Sequence, residues 1–219
     1  MNKKIILLVG FSTTGKSSIK TRCNLQDVAL IDTDKLVSKV YNKDNPHIYN
    51  IYCEMSDNET GDRSRAIKFI EREESKIANT LSDISENELN DKLIFSCGPF
   101  IVTRLGFSSS LNELRKSNDV NVIHLKKDLD SVCEDLANRH DRFPEEIKKH
   151  KNFACWDQDV ITRYDNNSKR WVRDEENSIK NIEAIMSGVS PFYTEIADNE
   201  FYFNEDEKIC GHIEKFFMD

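Results

Sequence analysis

Residues 10–17 read Gly-Phe-Ser-Thr-Thr-Gly-Lys-Ser, so that the second glycine is followed directly by a lysine and a hydroxyl residue. Glycines let a backbone wrap closely around a phosphate, and successive N–H groups present partial positive charge to its oxygens. A lysine at this place reaches the outer phosphates of a nucleoside triphosphate, and the hydroxyl after it is a magnesium ligand. The pattern predicts a phosphate-binding P-loop. Its predicted nucleotide contacts are Gly10, Ser12, Thr13, Thr14, Gly15, Lys16, Ser17 and Ser18.

The sequence around this loop fits that prediction. Residues 5–9 form an apolar run that favours a buried parallel strand, and residues 18–22 can begin a helix. Strand, loop and helix in this order are the context that the motif requires. A surface Gly/Ser turn is the alternative interpretation, and the flanking strand together with the Gly-Lys-Ser ending argues against it.

Two carboxylates follow the second apolar run of the chain. Residues 27–32 predict a buried strand that ends at Asp32, and Asp34 comes two residues later. Open α/β sheets bind ligands at the carboxyl ends of their strands, so both side chains are expected beside the γ-phosphate. We expect Asp32 to hold Mg²⁺ through water, and Asp34 to orient an acceptor hydroxyl or accept its proton. Helix capping by Asp32 and helix-dipole stabilisation by Asp34 are the structural alternatives.

The remaining periodicity predicts an α/β doubly wound sheet, because strands and helices alternate along the chain. Further strands are predicted at 92–97, 119–125 and 200–203, and residues 42–50 as a polar connection. A helix is predicted to open at Asp32-Thr33-Asp34 and run to Tyr41, and further helices are predicted at 61–81, 105–116, 128–139 with Asp128 as its cap, 175–187, 191–197 and 205–217. We expect one domain, 1–219. Residues 139–175 form an irregular insertion that is too long for an ordinary loop, and segments of this kind are usually lids, binding loops or disordered.

Composition narrows the class of protein. A chain of 219 residues that is 38% hydrophobic can bury a core, and a net charge of −8 argues against a broad nucleic-acid surface. The six cysteines include no C-x-x-C pair, which argues against a zinc site and predicts reduced thiols in a cytoplasmic protein. No apolar stretch is long enough to span a membrane, and the N-terminal one is too short for a signal peptide.

Several stretches together resemble the shikimate kinase family of small P-loop kinases. They are the loop itself, Asp32 with Asp34, the sequence Phe-Ile-Glu-Arg-Glu-Glu at 69–74, Gly98, and Pro-Phe-Tyr-Thr-Glu-Ile-Ala-Asp at 191–198. The resemblance implies a P-loop three-layer fold with a parallel sheet in the order 2-3-1-4-5, ATP with Mg²⁺, and phosphoryl transfer to a small hydroxylated molecule. It implies acceptor contacts at Asp34, Phe69 and Gly98, and a mobile lid. Arg142, near the lid arginine's position, and Arg139 are the candidates for contacting the nucleotide and stabilising charge, against the alternative that both are solvated.

The chain also departs from the family where the acceptor carboxylate is bound. Ile70 and Val189 stand where the family has two carboxylate-binding arginines, and the glycine triplet has become Ser96-Cys97-Gly98 or Cys97-Gly98-Pro99. Arg63, Arg65 or Arg72 can substitute, but the simpler interpretation is a kinase whose acceptor is not shikimate. A larger acceptor, such as a nucleoside, a nucleotide-sugar or an antibiotic, and a nucleotide-binding module without efficient transfer stay open as alternatives. We expect no nucleic-acid or membrane partner, and the pattern leaves monomer and dimer open.

A few residues that often carry chemistry receive a structural interpretation here. Trp156 and Trp171 can cover a substrate, but packing within the 139–175 segment is favoured because tryptophan is readily buried. His140, His150 and Cys155 lack a standard metal spacing, so they are expected at the surface or in packing.

Overall fold

The computed structural model describes residues 2–44, 48–57, 62–142, 148–149 and 162–219. The chain divides into two compact units. The first comprises Met1–Leu36, Glu73–Lys127 and Val189–Asp219, and the second comprises Val37–Arg72 and Asp128–Gly188. The organisation as one domain with a lid at 139–175 stays a prediction.

The first unit is built on a parallel five-stranded sheet, as the sequence predicted. Its strands are β1 (Lys4–Val9), β2 (Ala29–Asp32), β3 (Lys92–Ser96), β4 (Asp119–Lys126) and β7 (Asn199–Tyr202). They lie in the order β2-β3-β1-β4-β7, which is the predicted order 2-3-1-4-5 with the fifth sheet strand numbered β7. Residues 5–9 of β1 are fully buried, which is why this central strand reads as an unbroken apolar run.

Strand register brings three candidate site segments to one edge of this sheet. The last residue of β2, Asp32, pairs with Ser96 of β3, and Ser96 pairs with Leu8 of β1. On the other side of β1, Val9 pairs with His124. The loop after β1, the acids after β2 and the turn after β3 therefore leave the sheet at the same edge.

The α-helices of the described residues are α1 (Ile19–Arg22), α2 (Thr33–Tyr41), α3 (Ile48–Met55), α4 (Ser64–Asn79), α5 (Leu81–Asn87), α6 (Phe107–Ser117), α7 (Leu129–Asp141), α8 (Glu175–Ile196) and α9 (Asp206–Met218). Short 3₁₀ turns cover Lys16–Ser18 and Ile101–Thr103. The predicted cap of α7 is confirmed, because the Asp128 carboxylate accepts a hydrogen bond from the Ser131 N–H at 2.8 Å.

Three of the predicted boundaries are wrong. The chain becomes helical again at Ile48, inside the predicted polar connection, because Ile51 and Tyr52 bury an apolar face of α3. The predicted helix 61–81 corresponds to α4, which ends at Asn79, and a further helix that was not predicted, α5, begins after Thr80 at φ −124°. The two predicted helices 175–187 and 191–197 are one helix, α8, with Pro191 inside it. Buried Val189 and Tyr193 anchor α8 on both sides of the proline.

The described part of the second unit includes a β-hairpin inside the predicted lid. Strands β5 (Thr162–Asp165) and β6 (Arg170–Arg173) pair in antiparallel fashion. Trp171 is buried, and its ring meets that of Tyr164 edge to face at 5.8 Å, which agrees with a packing role. Trp156, His150 and Cys155 lie outside the described residues. Among the helices that the structure describes, none is both long and apolar enough to cross a membrane.

The prediction of reduced thiols is wrong for two of the cysteines. Cys23 and Cys210 form a disulfide in the first unit, whereas Cys97 and Cys133 are free thiols. The two bonded residues are 187 positions apart, and their Cα atoms lie 5.1 Å from each other. Sequence spacing carried no sign of this pair, because the fold alone brings α9 against the end of α1.

Candidate active site

The P-loop in the first unit has the backbone that close phosphate approach requires. Gly10 has φ +141° and Gly15 has φ +81°. A Cβ on Gly10 would collide with the Leu125 carbonyl oxygen, so the residue is constrained both by its conformation and by the space around it. The Thr14 hydroxyl, almost fully buried, donates to the Phe11 carbonyl at 2.9 Å and closes the loop from inside.

Lys16 lies inside this loop. Its ammonium donates to the carbonyl oxygens of Gly10 at 2.7 Å and Phe11 at 2.8 Å, and to the Thr14 hydroxyl at 3.3 Å. The side chain is buried, so a positive charge is held where the loop backbone folds over. Ser18 lies at the outer end of the loop, where its hydroxyl donates to the Gly15 carbonyl at 3.0 Å. This arrangement presents a cation and N–H groups to an anion.

Two oxygen ligands suitable for a magnesium ion lie next to each other along the sheet edge. The Ser17 hydroxyl is 3.2 Å from the Ser96 hydroxyl, and Ser96 pairs in register with Asp32. Hydroxyl and carboxylate oxygens are the donors that Mg²⁺ prefers, with phosphates and water completing its shell. The described residues hold no cluster of three or more His, Cys, Asp or Glu side chains, so a protein-built cage is not what they offer. Ser17 with Asp32 fits Mg²⁺ in this respect.

Asp32 also caps helix α2, which is the structural alternative to magnesium binding. Its Oδ1 accepts hydrogen bonds from the N–H groups of Asp34 at 3.1 Å and Lys35 at 3.3 Å, at the start of α2. One carboxylate oxygen therefore stabilises the first turn of this helix. The cap uses Oδ1 of this carboxylate, and the contact with a magnesium-bound water stays a prediction.

Asp34 lies directly against the turn at residues 96–99. A Cβ on Gly98 would collide with Oδ1 of Asp34, so the missing side chain is the space that the carboxylate occupies. The Thr33 hydroxyl donates to the Ser96 carbonyl at 3.3 Å and accepts from the Gly98 N–H at 2.7 Å. The start of α2 and the turn are thus joined by two hydrogen bonds of the Thr33 hydroxyl.

Cys97 and Tyr193 form the buried base of this turn. Burial raises the pKa of the Cys97 thiol to about 12, with Lys16 opposing the shift and the Asp34 and Asp32 carboxylates adding to it. The Tyr193 hydroxyl donates to the Pro99 carbonyl at 2.5 Å, and burial raises its pKa well above the ordinary range. The charges of Lys16, Asp34 and Asp32 thus all contribute to the pKa of this thiol, and all four residues belong to the first unit.

Other predicted site residues belong to the second unit. Phe69 stacks edge to face on Tyr41 at 5.8 Å, and the Arg72 guanidinium lies 5.2 Å from the Phe69 ring centroid. Arg139 and Arg142 lie at the end of α7, and both are exposed. Their contacts with nucleotide or acceptor stay predictions.

Sequence reasoning missed several residues that shape the site. Lys127 donates to the Thr13 carbonyl at 3.3 Å, and the Arg22 guanidinium occupies the space beside Gly15. Ser96 and Tyr193 act on the turn after β3 as described above. Tyr193 stands in the 191–198 resemblance and Ser96 in the altered glycine triplet, although neither pattern assigned them a role. Lys127 and Arg22 stand in no motif that would have marked them.

Comparison with known proteins shows a similar fold in solved structures but no significant similarity in sequence. No protein-family model matches the chain, and no curated protein is significantly similar to it in sequence. Among solved structures, a shikimate kinase from Acinetobacter baumannii in complex with shikimate is similar with a TM-score of 0.62 and 14% identity. The match covers 99% of this chain and 93% of that one.

Two further shikimate kinases support the same fold. The enzyme from Bacteroides thetaiotaomicron has a TM-score of 0.54 at 13% identity, covering 98% of each chain. The enzyme from Aquifex aeolicus has a TM-score of 0.50 at 15% identity, covering 98% of this chain and 96% of that one. The chain therefore has the predicted α/β fold, which these three shikimate kinases share, while identities this low show nothing about the reaction.

Proposed function

We propose that this protein is an ATP-dependent phosphotransferase that moves the γ-phosphate to a hydroxyl group of a small molecule other than shikimate. One observation carries the proposal. The Asp34 carboxylate is packed against Gly98, at the same edge of the sheet as the P-loop with its buried Lys16. A loop that only binds nucleotide needs Lys16 but has no use for a carboxylate at the acceptor side.

The roles follow from what phosphoryl transfer demands, namely positioning and neutralisation of charge. Lys16 and the loop N–H groups bind the β- and γ-phosphates. Ser17 directly and Asp32 through water would hold Mg²⁺, which supplies further charge neutralisation at the phosphates when bound. Arg139 or Arg142 would add cationic charge from the lid.

Asp34 would take the proton in the reaction. Its carboxylate orients the acceptor hydroxyl and accepts its proton while the hydroxyl oxygen forms a bond to the γ-phosphorus. The bond between that phosphorus and the β,γ-bridging oxygen breaks, and ADP leaves. Positioned proton transfer of this kind contributes about 10²–10⁴-fold to rates.

Two side chains, at positions 70 and 189, argue against a carboxylated acceptor such as shikimate. Ile70 and Val189 occupy the places of the carboxylate-binding arginines in the family resemblance, and both are buried apolar residues. The similar enzyme from Acinetobacter baumannii, by contrast, is seen in complex with shikimate. Without a bidentate arginine, a carboxylated acceptor would lose its strong charge-assisted contacts in this chain.

Thermal stabilisation tests the proposal. ATP with Mg²⁺ should raise the unfolding temperature, because a ligand that binds only the folded state stabilises it by mass action. The same plate would contain shikimate, gluconate, nucleosides and aminoglycosides as acceptors. A further shift with an acceptor other than shikimate, followed by formation of ADP and its phosphorylated product, supports the proposal, whereas transfer to shikimate contradicts the proposed choice of acceptor. A shift with ATP alone and no transfer to any acceptor favours a nucleotide-binding module, and no shift with ATP contradicts the P-loop assignment.

A further inference from the structure

The Cys23–Cys210 disulfide joins the segment that ends the P-loop region to the last helix. Cys23 closes α1, the single helical turn after the loop, and its N–H donates to the Ile19 carbonyl at 2.9 Å. Cys210 lies in α9, 187 residues further along the chain. No motif and no role in phosphoryl transfer accounts for this bond.

Arg22, the residue before Cys23, connects the P-loop to the beginning of α9. Its guanidinium donates to the Phe203 carbonyl at 2.6 Å and forms an ion pair with Asp206. The same group lies against Gly15, where a Cβ would collide with Nη1 of Arg22. Residues 203–206 therefore hold a cation that supports the second glycine of the loop.

A second cation makes a parallel connection. The Lys127 ammonium lies 4.2 Å from the centroid of the Phe203 ring and donates to the Thr13 carbonyl at 3.3 Å. Thr13 has φ +69°, an uncommon conformation that its neighbours must hold in place. The turn before α9 thus supports the P-loop at two positions, through Arg22 at Gly15 and through Lys127 at Thr13.

We propose that Cys23–Cys210 is a thiol–disulfide exchange site for a dithiol reductant, and that its reduction weakens nucleotide binding at the P-loop. The proposal rests on the proposed function, because nucleotide affinity is the property that it changes. The disulfide fixes α9 to the end of α1, and the turn at 203–206 that leads into α9 contacts both cations: Phe203 contacts Lys127, and Phe203 and Asp206 contact Arg22. When the bond opens, this turn keeps the Arg22 contacts and the hydrogen bond from the Phe203 N–H to the Lys126 carbonyl at 2.9 Å, but the helix that follows it loses its covalent link to α1.

The exposure of the two sulfur-bearing residues indicates where exchange begins. Cys23 is buried in the apolar cluster with Leu25, Ile209 and Ile213, whereas Cys210 is partly exposed at its edge. A reductant thiolate attacks Sγ of Cys210, the Cys23–Cys210 bond breaks, and Cys23 leaves as a thiolate that takes up a proton. The second thiol of the reductant then attacks the mixed disulfide and releases the Cys210 thiol. Two electrons and two protons enter the protein, and the reductant leaves as a disulfide.

The experiment compares nucleotide affinity in the two redox states. Isothermal titration with ATP·Mg²⁺, and separately with inorganic tripolyphosphate, is run on oxidised protein and on protein reduced with dithiothreitol, well below both unfolding temperatures. Alkylation and mass spectrometry establish the state of Cys23 and Cys210 in each sample. We expect reduction to raise both Kd values by about fivefold or more, the lower end of typical coupling between sites.

Three variants assign the effect. The double variant C23S/C210S should bind like the reduced protein and ignore the reductant, while Cys133→Ser, at a partly exposed free thiol, should keep the full response. Arg22→Gln keeps the disulfide and should raise the Kd while reducing the response to reductant. It tests the coupling even where the double variant does not fold.

The outcomes separate the two proposals. Equal Kd values in both redox states, a disulfide that is absent from oxidised protein, or one that resists dithiothreitol in the folded protein overturns the redox proposal alone. A protein that binds ATP in neither state overturns the proposed function and the redox proposal with it.

Discussion

The P-loop and the turn at residues 96–99 lie at the same edge of one sheet, yet they are built from different parts of the chain. The P-loop is shaped mainly by its own residues, with glycines at φ +141° and +81° and a lysine that bonds the carbonyls of its own loop, while Arg22 and Lys127 support it from outside. The turn is shaped by distant side chains: Thr33 holds Gly98, Tyr193 holds Pro99, and Asp34 fills the space beside Gly98.

Because they are built differently, the two regions should differ in how many substitutions they tolerate. A loop made of backbone N–H groups and glycines tolerates few substitutions, because a Cβ at Gly10 collides with main-chain atoms. A turn held by side chains from α2 and α8 keeps its position while its own residues vary. We call the P-loop the phosphate half of the site, and Asp34 with the turn at 96–99 the acceptor half. We expect the phosphate half to be generic and the acceptor half to be specific to this protein.

Asp34→Asn is expected to have the largest effect. The amide keeps the shape of the side chain but cannot accept the hydroxyl proton, so transfer to the true acceptor should fall by about 10³-fold. The Kd of ATP should stay within about twofold, because the amide removes no contact to the phosphates. A loss of ~1.4 kcal/mol in binding free energy would already raise it tenfold. Steady-state transfer and titration calorimetry measure the two quantities. Asp83→Asn, at an exposed site in α5, is the control, and full transfer by Asp34→Asn would show that the base assignment is wrong.

Lys16→Ala should do the reverse and damage the phosphate half. It removes charge-assisted hydrogen bonds worth about 1.5–3 kcal/mol, so the Kd of ATP should rise by roughly 100-fold. Lys116→Ala removes an exposed positive charge in α6 and should change nothing measurable. ATP binding by Lys16→Ala at the affinity of the unchanged protein would contradict the assignment of this loop.

The sequence predicted the first region well because its information is local. Gly10, Lys16 and Ser17 stand in one fixed spacing, and β1 identifies itself as a fully buried apolar run. The sheet order followed from the resemblance. The acids after β2 were also correctly placed at this edge, although the capping bonds of Asp32 show that one residue serves structure and site together.

The second region and the disulfide were poorly predicted because their information is long-range. The bond from Tyr193 to Pro99 spans 94 residues, and the disulfide spans 187. Neither contact leaves a periodic or spaced signal in the chain. Helix α3 was missed for a related reason, since only tertiary burial of Ile51 and Tyr52 explains a helix in a stretch that begins as polar sequence.

Gly98→Ala should give a smaller effect that is confined to the acceptor half. The added Cβ displaces the Asp34 carboxylate, and misplacement of a reacting group costs up to about 10²-fold, so we expect transfer to fall by about tenfold. ATP affinity should not change. Gly211→Ala, in open space on α9, is the matched control. Equal loss of ATP affinity and transfer in Gly98→Ala would mean that the two halves do not separate.

The smallest expected effect concerns His124, which contacts elements of both regions. It pairs with Val9 at the end of β1, and its ring lies 5.1 Å from that of Tyr193, which holds Pro99. Burial lowers the pKa of His124 below its ordinary 6.5, with nearby Lys126 and Lys16 adding to the shift and the hydrogen bond to Glu200 opposing it. The neutral ring is thus favoured in the folded protein.

The sign of the pH dependence follows from this depressed pKa. The unfolded chain binds the proton first as the pH falls through about 6.5, so the contribution of His124 to stability is complete above that pH and is lost below it. Glu200 also has a lowered pKa, but its stabilisation is lost at more acidic pH, because its ordinary value is 4.5.

Between pH 7 and 5 the unfolding temperature should fall by a few degrees, and His124→Gln should flatten that slope. His212, more exposed and also with a lowered pKa, gives the control variant His212→Gln, which should flatten it less. An unchanged slope in His124→Gln would show that the pairing of this histidine with both regions does not control acid stability.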